Sequence, residues 1–329
     1  MIDLRERAVA RILIGESKVI REVRREIVRY GPTKLPILLQ GPTGSGKELA
    51  ARAIHVVSRR DGALVAFNVC ALGEGMFEDA LFGHVRGAFT GASGEAHGYL
   101  AEANGGSVFL DEISGLSVCS QAKLLRALET GVYRPIGAGR DRMSDFRLLS
   151  ASNEDLGALV RERKFRADLL HRVGGCVITL PSLHERRDDI PVLVRHFLSE
   201  STRGQTMAAR ALDRLQSHQW PGNVRELRNV VARLLVVADG DEIAPEHVDA
   251  ILQPVEAESD ALESDAAFQA KLINVLEQAG WNTMVAAEML NVHRATIYRW
   301  MRRLRISSPV AAPSLYSPST QRETLRLSL

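Results

Sequence analysis

Leu35-Pro-Ile-Leu-Leu-Gln40-Gly41-Pro-Thr-Gly-Ser-Gly46-Lys47 is the stretch that decides the fold. An apolar run, Leu35 to Gln40, leads into a glycine-rich turn and then into a lysine that opens a helical pattern reaching His55. A strand, a glycine-rich loop and a helix in this order are typical of a phosphate-binding loop, because N–H groups of the loop and of the helix N-terminus point at phosphate oxygens. A glycine turn followed by a chance lysine is the alternative.

This loop predicts an ATP site made of eight consecutive residues: Gly41, Pro42, Thr43, Gly44, Ser45, Gly46, Lys47 and Glu48. Lys47 is expected to reach the β- and γ-phosphate oxygens. The usual residue at position 48 of such a loop is Ser or Thr, whose hydroxyl contacts Mg²⁺. Glu48 lacks that hydroxyl.

A second strand pattern, Ser107 to Leu110, ends in two carboxylates, Asp111 and Glu112. We expect Asp111 to hold Mg²⁺, directly or through water. Glu112 is the candidate general base that orients and polarises the attacking water. Two solvated acids at the end of a strand are the alternative interpretation.

Strand and helix patterns alternate up to Pro181, which predicts a parallel sheet with helices on both faces. Besides the two strands above, strands are predicted at Leu64 to Val69, Phe146 to Ala151 and Cys176 to Leu180, and helices at residues 16–30 and at Ser120 to Leu128. After Pro181 the pattern becomes helical as far as Leu252, and it is helical again over residues 266–306. The fold class is therefore α/β, followed by helical subdomains.

The composition is that of a globular protein, with 45% hydrophobic and 25% charged residues. Three cysteines, Cys70, Cys119 and Cys176, show no metal-ligand spacing, which favours reduced thiols. The N-terminus is charged rather than apolar, and the longest apolar runs are too short to span a bilayer. We therefore expect a cytoplasmic protein without membrane contact.

Leu81-Phe-Gly-His84, followed by Gly87-Ala-Phe-Thr-Gly-Ala92, makes the chain resemble the AAA+ activators of sigma-54 RNA polymerase, the bacterial enhancer-binding proteins. The resemblance extends over about residues 14–306. It implies that the hexapeptide forms the tip of a loop that docks on sigma-54 through Gly87, Ala88, Phe89, Thr90, Gly91 and Ala92. Glycines let the backbone fold back, and Phe89 offers an aromatic anchor. A turn around a core phenylalanine is the alternative.

The resemblance also implies roles for three residues around the nucleotide. Asn68 matches the asparagine that holds the catalytic Glu112 away from water until the nucleotide state is right; a buried, hydrogen-bonded asparagine is the alternative. Asn153 matches a sensor of the γ-phosphate, and Arg225 matches a second sensor located in the helical subdomain.

Arg166 and Arg172 match the arginine-finger segment of the family. The resemblance implies that both reach into the site of a neighbouring subunit, where a guanidinium spreads its charge onto phosphate oxygens. Such a finger contributes about 10³- to 10⁵-fold in rate, so hydrolysis is expected to need an oligomer, a hexamer in this family. Salt bridges on a surface helix are the alternative interpretation.

Some positions depart from the family pattern. Pro42 stands where Glu is usual, Val85 replaces an acidic residue, and Ala101 replaces Glu in the returning arm of the hexapeptide loop. The last two changes remove charges that help to link nucleotide state to loop position in the family. A second pore loop is expected near Gly131 to Arg140.

Residues 281–306 predict a helix-turn-helix that resembles the Fis-type unit of these activators. The second helix is rich in arginine, as expected of a surface that meets DNA. The candidate DNA-binding residues are His293, Arg294, Thr296, Tyr298, Arg299, Arg302 and Arg303. Arg294, Thr296 and Arg299 are expected near base edges, and Arg302 and Arg303 near phosphates. A helical hairpin with a solvated basic face is the alternative.

The resemblance thus implies an AAA+ P-loop ATPase with a helical lid and a small all-α DNA-binding domain. The expected boundaries are 1–181 for the α/β ATPase subdomain, 182–252 for the lid, 253–265 for a linker, 266–306 for the helix-turn-helix and 307–329 for a disordered tail. Because the ATPase pattern starts near Met1, we expect no N-terminal sensory domain and control by a separate regulatory protein.

The implied function is an ATP-hydrolysing activator that binds enhancer DNA and remodels the closed complex of sigma-54 RNA polymerase. Two alternatives stay open at this point. One is a DNA-binding regulator whose ATPase module controls assembly only. The other is a subunit that needs a paralogous partner.

Overall fold

The computed structural model describes residues 4–71, 76–201, 204–252 and 265–289, together with residues 297, 300, 301 and 306. The chain divides into two compact units, Met1–Leu252 and Gln253–Leu329. The strands of the first unit are β1 (Ile37–Gln40), β2 (Leu64–Asn68), β3 (Gly83–His84), β4 (Ala96–His97), β5 (Ser107–Asp111), β6 (Val132–Tyr133), β7 (Arg142–Met143), β8 (Arg147–Ser152), β9 (Cys176–Thr179), β10 (Thr206–Met207) and β11 (Glu242–Ile243).

The first unit also contains twelve of the described helices. They are α1 (Leu4–Ile12), α2 (Lys18–Tyr30), α3 (Lys47–Ser58), α4 (Met76–Phe82), α5 (Tyr99–Glu102), α6 (Val118–Thr130), α7 (Leu156–Arg161), α8 (Ala167–Val173), α9 (Ile190–Ser199), α10 (Ala209–Ser217), α11 (Asn223–Val237) and α12 (Pro245–Leu252). The second unit contains α13 (Asp265–Gln278) and α14 (Thr283–Met289).

A five-stranded sheet forms the centre of the first unit, in the order β2-β5-β8-β1-β9, and all of its pairings are parallel. Alternate residues of β1 enter different cores: Ile37 and Leu39 pack in one apolar cluster and Leu38 in the other. This alternation follows from the period of two in a strand and means that both faces are covered. The predicted parallel sheet with helices on both faces is confirmed, and the strand ends differ from the prediction by one or two residues.

Helices α9–α12 form a separate apolar cluster around Trp220, which is 1% exposed. The indole Nε1 donates a hydrogen bond to the carbonyl oxygen of Leu215 (2.8 Å), so the polar atom of this large side chain is satisfied. A short parallel pair, β10 and β11, joins two connections of the same subdomain. The predicted helical subdomain after Pro181 is confirmed.

Two short antiparallel hairpins have no counterpart in the sequence prediction. β3 pairs with β4, and β6 pairs with β7, each over two residues. Segments this short carry no readable hydrophobic period, so sequence patterning does not reveal them. The charged N-terminal segment also forms a helix, α1, which buries Val9 completely.

In the second unit, α13 and α14 share a small apolar core. Leu272, Leu276, Ala286 and Ile297 are fully or nearly fully buried in it. Trp281 and Trp300 pack against this cluster.

Candidate functional site

The loop between β1 and α3 has the backbone geometry of a phosphate cradle. Gly41, Gly44 and Gly46 have φ angles of 154°, 76° and 106°, which disfavour residues with a Cβ atom. At Gly44 a Cβ would also lie 2.2 Å from the carbonyl oxygen of Gly222. Lys47, the first residue of α3, is 7% exposed, and its Nζ donates to the carbonyl oxygen of Gly41 (3.0 Å). The ammonium group is thus held at the mouth of the loop.

Three polar residues follow neighbouring strands beside this loop. Asn68 ends β2 and is the register partner of Asp111 at the end of β5. Glu112 comes next, with φ 56°, and its N–H donates to Asp111 Oδ1 (3.1 Å). Because the carboxyl ends of parallel strands meet at one edge of the sheet, these side chains share one cleft with the loop.

The cleft encloses about 480 Å³. Its wall is formed by the N-terminal segment, the phosphate loop, the acidic strand ends and the lid, and includes Leu13, Thr43, Gly44, Ser45, Gly46, Lys47, Glu48, Asn68, Asp111, Glu112, Arg186, Val224 and Arg225. A cleft of this size is suitable for a nucleotide. The predicted phosphate-loop positions 43–48 all belong to this wall, whereas Gly41 and Pro42 contact it through Lys47.

Asn68 lies in the cleft wall together with Glu112, but its carbonyl oxygen is engaged elsewhere. Oδ1 accepts hydrogen bonds from the N–H groups of Cys70 (2.8 Å) and Ala71 (3.2 Å). These bonds hold the amide against the turn that follows β2. Asn68 is exposed rather than buried, so the alternative interpretation of a buried asparagine does not describe it.

The oxygen-rich donor set of the cleft fits a magnesium ion. Asp111 and Glu112 offer hard carboxylate ligands, and Glu48 adds a third carboxylate to the wall. Within the described residues no group of three or more His, Cys, Asp or Glu side chains is close enough to hold a metal alone. Mg²⁺ typically uses one or two carboxylates plus phosphate oxygens and water, which this arrangement can supply once a nucleotide is bound.

Asn153, just after β8, points its amide at the phosphate loop. Its Nδ2 donates to Thr43 Oγ1 (3.3 Å). Arg225 lies in α11 and forms part of the cleft wall from the lid side. Both residues for which the resemblance implies phosphate sensing lie beside the loop, one next to the sheet and one in the lid.

Three successive carbonyl groups of the phosphate loop, those of residues 43, 44 and 45, accept hydrogen bonds from the lid. The donors are Asn223 Nδ2 (2.9 Å), the N–H groups of Val224 (3.0 Å) and Arg225 (3.3 Å), and Arg186 Nη2 (2.9 Å). We call this set the lid seam. It fixes the start of α11 directly on the loop, so a movement of either is transmitted to the other.

A buried ionic cluster lies behind the lid seam, and sequence analysis did not single it out. Asp189, fully buried, accepts hydrogen bonds from the N–H groups of Glu16 (2.5 Å) and Ser17 (2.7 Å) and from Ser17 Oγ (2.8 Å). Arg24 donates to the carbonyl groups of residues 13 and 15. Burial lowers the pKa of Arg24 and of Arg186, and the charge of Asp189 acts in the opposite direction on both.

Arg166 and Arg172 lie at the start and near the end of α8. Arg166 forms a bidentate pair with Asp168, from Nε to Oδ1 (3.0 Å) and from Nη2 to Oδ2 (2.7 Å), and this bond lowers the pKa of Asp168. Arg172 Nη2 donates to the carbonyl oxygen of Leu128 (2.6 Å). Among the described residues, neither arginine belongs to the cleft wall of its own chain.

The hexapeptide Gly87–Ala92 forms a tight turn beyond the β3–β4 hairpin. The N–H of Gly87 donates to the carbonyl of Ala92 (2.9 Å), and glycines with φ 80° and 105° stand at positions 87 and 91. Phe89 is 46% exposed, and its ring meets the His84 ring edge-on at 5.0 Å between centroids. Thr90 is exposed at the tip. Phe89 is therefore not a core residue.

The hexapeptide turn rests on the second hairpin, β6–β7, which includes the predicted second pore loop. The N–H of Val85 donates to the carbonyl of Ile136 (3.1 Å). A Cβ at Gly137 would lie 2.8 Å from Ala88 Cβ, so the two loops are in close contact. Val85 therefore meets the second hairpin through its backbone N–H, and Ala101 packs against the core of the sheet.

Three regions of the chain match known protein families. A family model described as the Sigma-54 interaction domain matches residues 13–179. An AAA+ ATPase lid domain matches residues 184–265, and a homeodomain-like domain matches residues 270–312. The chain belongs to the NtrC-like family of sigma-54-dependent transcriptional regulators.

Individual relatives agree with this assignment. The chain is 41% identical over 247 residues to the DNA-binding transcriptional regulator NtrC of Bradyrhizobium sp., covering 74% of this chain and 52% of that protein. It is 36% identical to NtrC of Azospirillum brasilense, covering 89% and 69%. A crystal structure of NtrX from Brucella abortus in complex with ATP matches with a TM-score of 0.66 and 30% identity, covering 89% of this chain and 69% of that chain.

The chain spans about half to two thirds of the length of these regulators, 52% and 69% for the two NtrC proteins. The AAA+ fold with a helical lid and a C-terminal helix-turn-helix domain, predicted from the sequence, is confirmed. Among the helices of the described residues, none is both long and apolar enough to cross a membrane.

The predicted DNA-contacting residues, positions 293, 294, 296, 298, 299, 302 and 303, lie outside the described residues. What the structure describes of this region is the supporting core. Ala286 and Ala287 of α14 and Ile297 are buried together with α13, as a helix-turn-helix core requires.

Proposed function

We propose that this regulator is an ATPase that remodels the closed complex of sigma-54 RNA polymerase through the hexapeptide Gly87–Ala92. The observation that carries the proposal is the placement of Phe89 and Thr90 at an exposed turn. Burying the exposed part of an aromatic side chain against a partner is favourable, and aromatic anchors dominate many interfaces.

The cleft supplies the chemistry of ATP hydrolysis. Lys47 and the loop N–H groups would bind the phosphates, and Asp111 would hold Mg²⁺. A bound Mg²⁺ would neutralise charge on the phosphate oxygens. Glu112 would accept a proton from the attacking water, and Asn68 would hold Glu112 away from that water until the nucleotide state is right.

Two further groups would respond to the γ-phosphate. Asn153 donates to Thr43 Oγ1 in this structure and would turn its amide toward the nucleotide. Arg225 would approach from the lid, and the lid seam would convert this approach into a movement of α11. Arg172, which is exposed, and Arg166, whose side chain is 40% exposed, would serve the site of the next subunit in a ring, which we propose is a hexamer.

Two further partners are proposed, DNA for the second unit and a regulatory protein for the ring. The helix-turn-helix would bind enhancer DNA, with Arg294, Thr296 and Arg299 at base edges. A separate regulatory protein would control the ring. Val85 and Ala101 replace charges of the family, so the link from nucleotide to hexapeptide would run through the hydrogen bond from the Val85 N–H to the carbonyl of Ile136 instead.

The central test is Thr90→Ala. We expect ATP hydrolysis and DNA binding to persist while the opening of a sigma-54-dependent promoter is lost, because Thr90 is exposed and lies outside the cleft. Ser93→Ala, three residues further along the same exposed turn, is the matched control and should open the promoter normally. Promoter opening by Thr90→Ala at the wild-type rate would refute the proposal and favour a regulator whose ATPase module controls assembly only.

The hydrolytic step is tested separately with Glu112→Gln. The amide is isosteric but cannot accept a proton, so ATP binding should stay within about twofold while turnover falls by at least about 100-fold. Nucleotide binding is measured with a fluorescent ATP analogue and turnover by phosphate release. Undiminished turnover would remove Glu112 from the role of base.

A further inference from the structure

Gln121, in the first turns of α6, is fully buried and uses its amide to join two functional segments. Nε2 donates to the carbonyl oxygens of Leu116 (2.9 Å) and Lys164 (3.0 Å). Oε1 accepts the N–H of Arg166 (2.8 Å). A buried amide is costly unless its polar atoms are satisfied, so this geometry is strongly specified.

One side of this link belongs to the cleft. The N–H of Gly115 donates to the carbonyl of Glu112 (3.0 Å), and the N–H of Leu116 donates to the carbonyl of Ile113 (3.2 Å). The short 3-10 turn between them ties Leu116 to the backbone of the general base. Gln121 holds the end of this turn through its hydrogen bond to the carbonyl of Leu116.

The other side is the segment that presents Arg166. Phe165 is 3% exposed and anchors this segment in the core, while Arg166 begins α8 without a side-chain cap of its own. The hydrogen bond from the Arg166 N–H to Gln121 therefore satisfies one of the open donors at the start of that helix. It fixes the Cα position from which the guanidinium projects.

We propose that Gln121 is a positioning residue that holds the arginine finger Arg166 in a fixed position relative to the acidic turn of its own subunit, residues 112–116. This inference rests on the proposed function, in which Arg166 acts on the neighbouring site. A displacement of the acidic turn at one site would then be transmitted through the Gln121 side chain to Arg166 of the same subunit. Arg166 acts on the neighbouring site, so the two sites would be linked. Gln121 touches no reacting atom.

The test is Gln121→Met, which keeps the length of the side chain and removes its three hydrogen bonds. Because misplacing a catalytic group by about 1 Å can cost about 100-fold in rate, we expect kcat to fall about 100-fold. The affinity for ATP should stay within about twofold, since the variant's own phosphate loop is intact. Gln205→Met is the matched control, because Gln205 is also buried and its Nε2 also donates to two carbonyl groups, those of Ala238 and Gly240 (2.7 Å each).

Rings assembled from two variants distinguish a misplaced arginine finger from an inactive catalytic site. Glu112→Gln subunits have an intact finger and an inactive site, and Arg166→Ala subunits have the reverse. Mixed in equal amounts, these two should recover activity, because about one interface in four pairs an intact finger with an intact site. This reference mixture tests the trans action of Arg166 itself, and its failure would overturn that part of the proposed function.

Once the reference mixture recovers activity, Gln121→Met should behave as a finger variant. It should recover activity when mixed with Glu112→Gln and stay inactive with Arg166→Ala. Recovery with Arg166→Ala, recovery with neither partner, or a wild-type kcat of the single variant would each overturn the inference. If Gln121→Met does not bind ATP, Gln121→Asn replaces it in the same mixtures, since it keeps the amide but withdraws it by one methylene.

Discussion

Asp189→Asn isolates the charge at the centre of the buried ionic cluster. The amide oxygen can still accept the N–H groups of Glu16 and Ser17, and its NH₂ group can donate to Ser17 Oγ in place of accepting from it. The substitution therefore keeps the hydrogen bonds and removes the negative charge beside two buried guanidinium groups, Arg24 and Arg186.

The expected loss in the free energy of unfolding follows from the charge that is removed and the hydrogen bonds that are kept. The charge of Asp189 acts on Arg24 and Arg186 through space, and one such interaction contributes at most about 4 kcal/mol beyond 4 Å at an effective dielectric constant of about 20. Arg24 and Arg186 keep their bonds to carbonyl groups, so we expect Asp189→Asn to lower the free energy of unfolding by about 3 kcal/mol. Asp189→Ala also loses three hydrogen bonds of about 1 kcal/mol each and should cost about 6 kcal/mol.

Thermal unfolding followed by circular dichroism measures both effects. A loss of about 3 kcal/mol lowers the Tm of a unit of this size by about 6–12 °C. Asp188→Asn is the matched control, since the neighbouring Asp188 is exposed and should change stability by less than about 0.5 kcal/mol. A loss below about 1 kcal/mol in Asp189→Asn would refute the role of its charge, and equal losses in the two Asp189 variants would refute the role of its hydrogen bonds.

Three other perturbations follow from single contacts. Gly44→Ala should weaken ATP binding at least about 10-fold in a fluorescent-nucleotide titration, because the new Cβ would meet the carbonyl of Gly222 at 2.2 Å and the φ of 76° is unfavourable for alanine; unchanged binding would contradict the tight packing of the lid on the phosphate loop. Gly137→Val should uncouple ATP hydrolysis from promoter opening, because a Cβ lies 2.8 Å from Ala88 Cβ and must displace the hexapeptide turn; normal opening would show that the two loops are independent. Burial, and to a smaller degree the charges of nearby arginines, lowers the pKa of His55 below 6.5. Folding therefore favours the neutral form of His55, and stability should fall as the pH drops below about 6.5. Urea midpoints at about pH 7.5 and 5.5 should differ less for His55→Gln than for the wild type, and an equal difference would contradict this origin.

Local patterns were enough to predict the sheet and the phosphate loop. The apolar runs of β1, β5 and β8 are short, buried and bounded by turn residues, and the glycines at 41, 44 and 46 each require a backbone that only glycine adopts readily. The polar residues at the ends of these strands converge because parallel strands place their carboxyl ends at one edge.

Other parts of the site depend on contacts between distant segments. Nothing in the sequence around Arg24, Arg186 or Asp189 distinguishes a buried charge from a solvated one, and the cluster forms only when the N-terminal segment meets the lid. The acceptors of the lid seam are backbone carbonyls, which carry no residue signature. Gln121 is likewise one of many polar residues on an amphipathic helix, and its burial depends on α8 packing against α6.

The lid seam also gives the protein a built-in reporter. The amide hydrogens of Val224 and Arg225 are held by a single acceptor, the carbonyl of Gly44, which lies in the phosphate loop. Their exchange with solvent deuterium therefore requires the first turn of α11 to separate from that loop. Peptide-level hydrogen exchange over this turn would follow the tilt of the lid through each nucleotide state, with no label attached and no residue replaced.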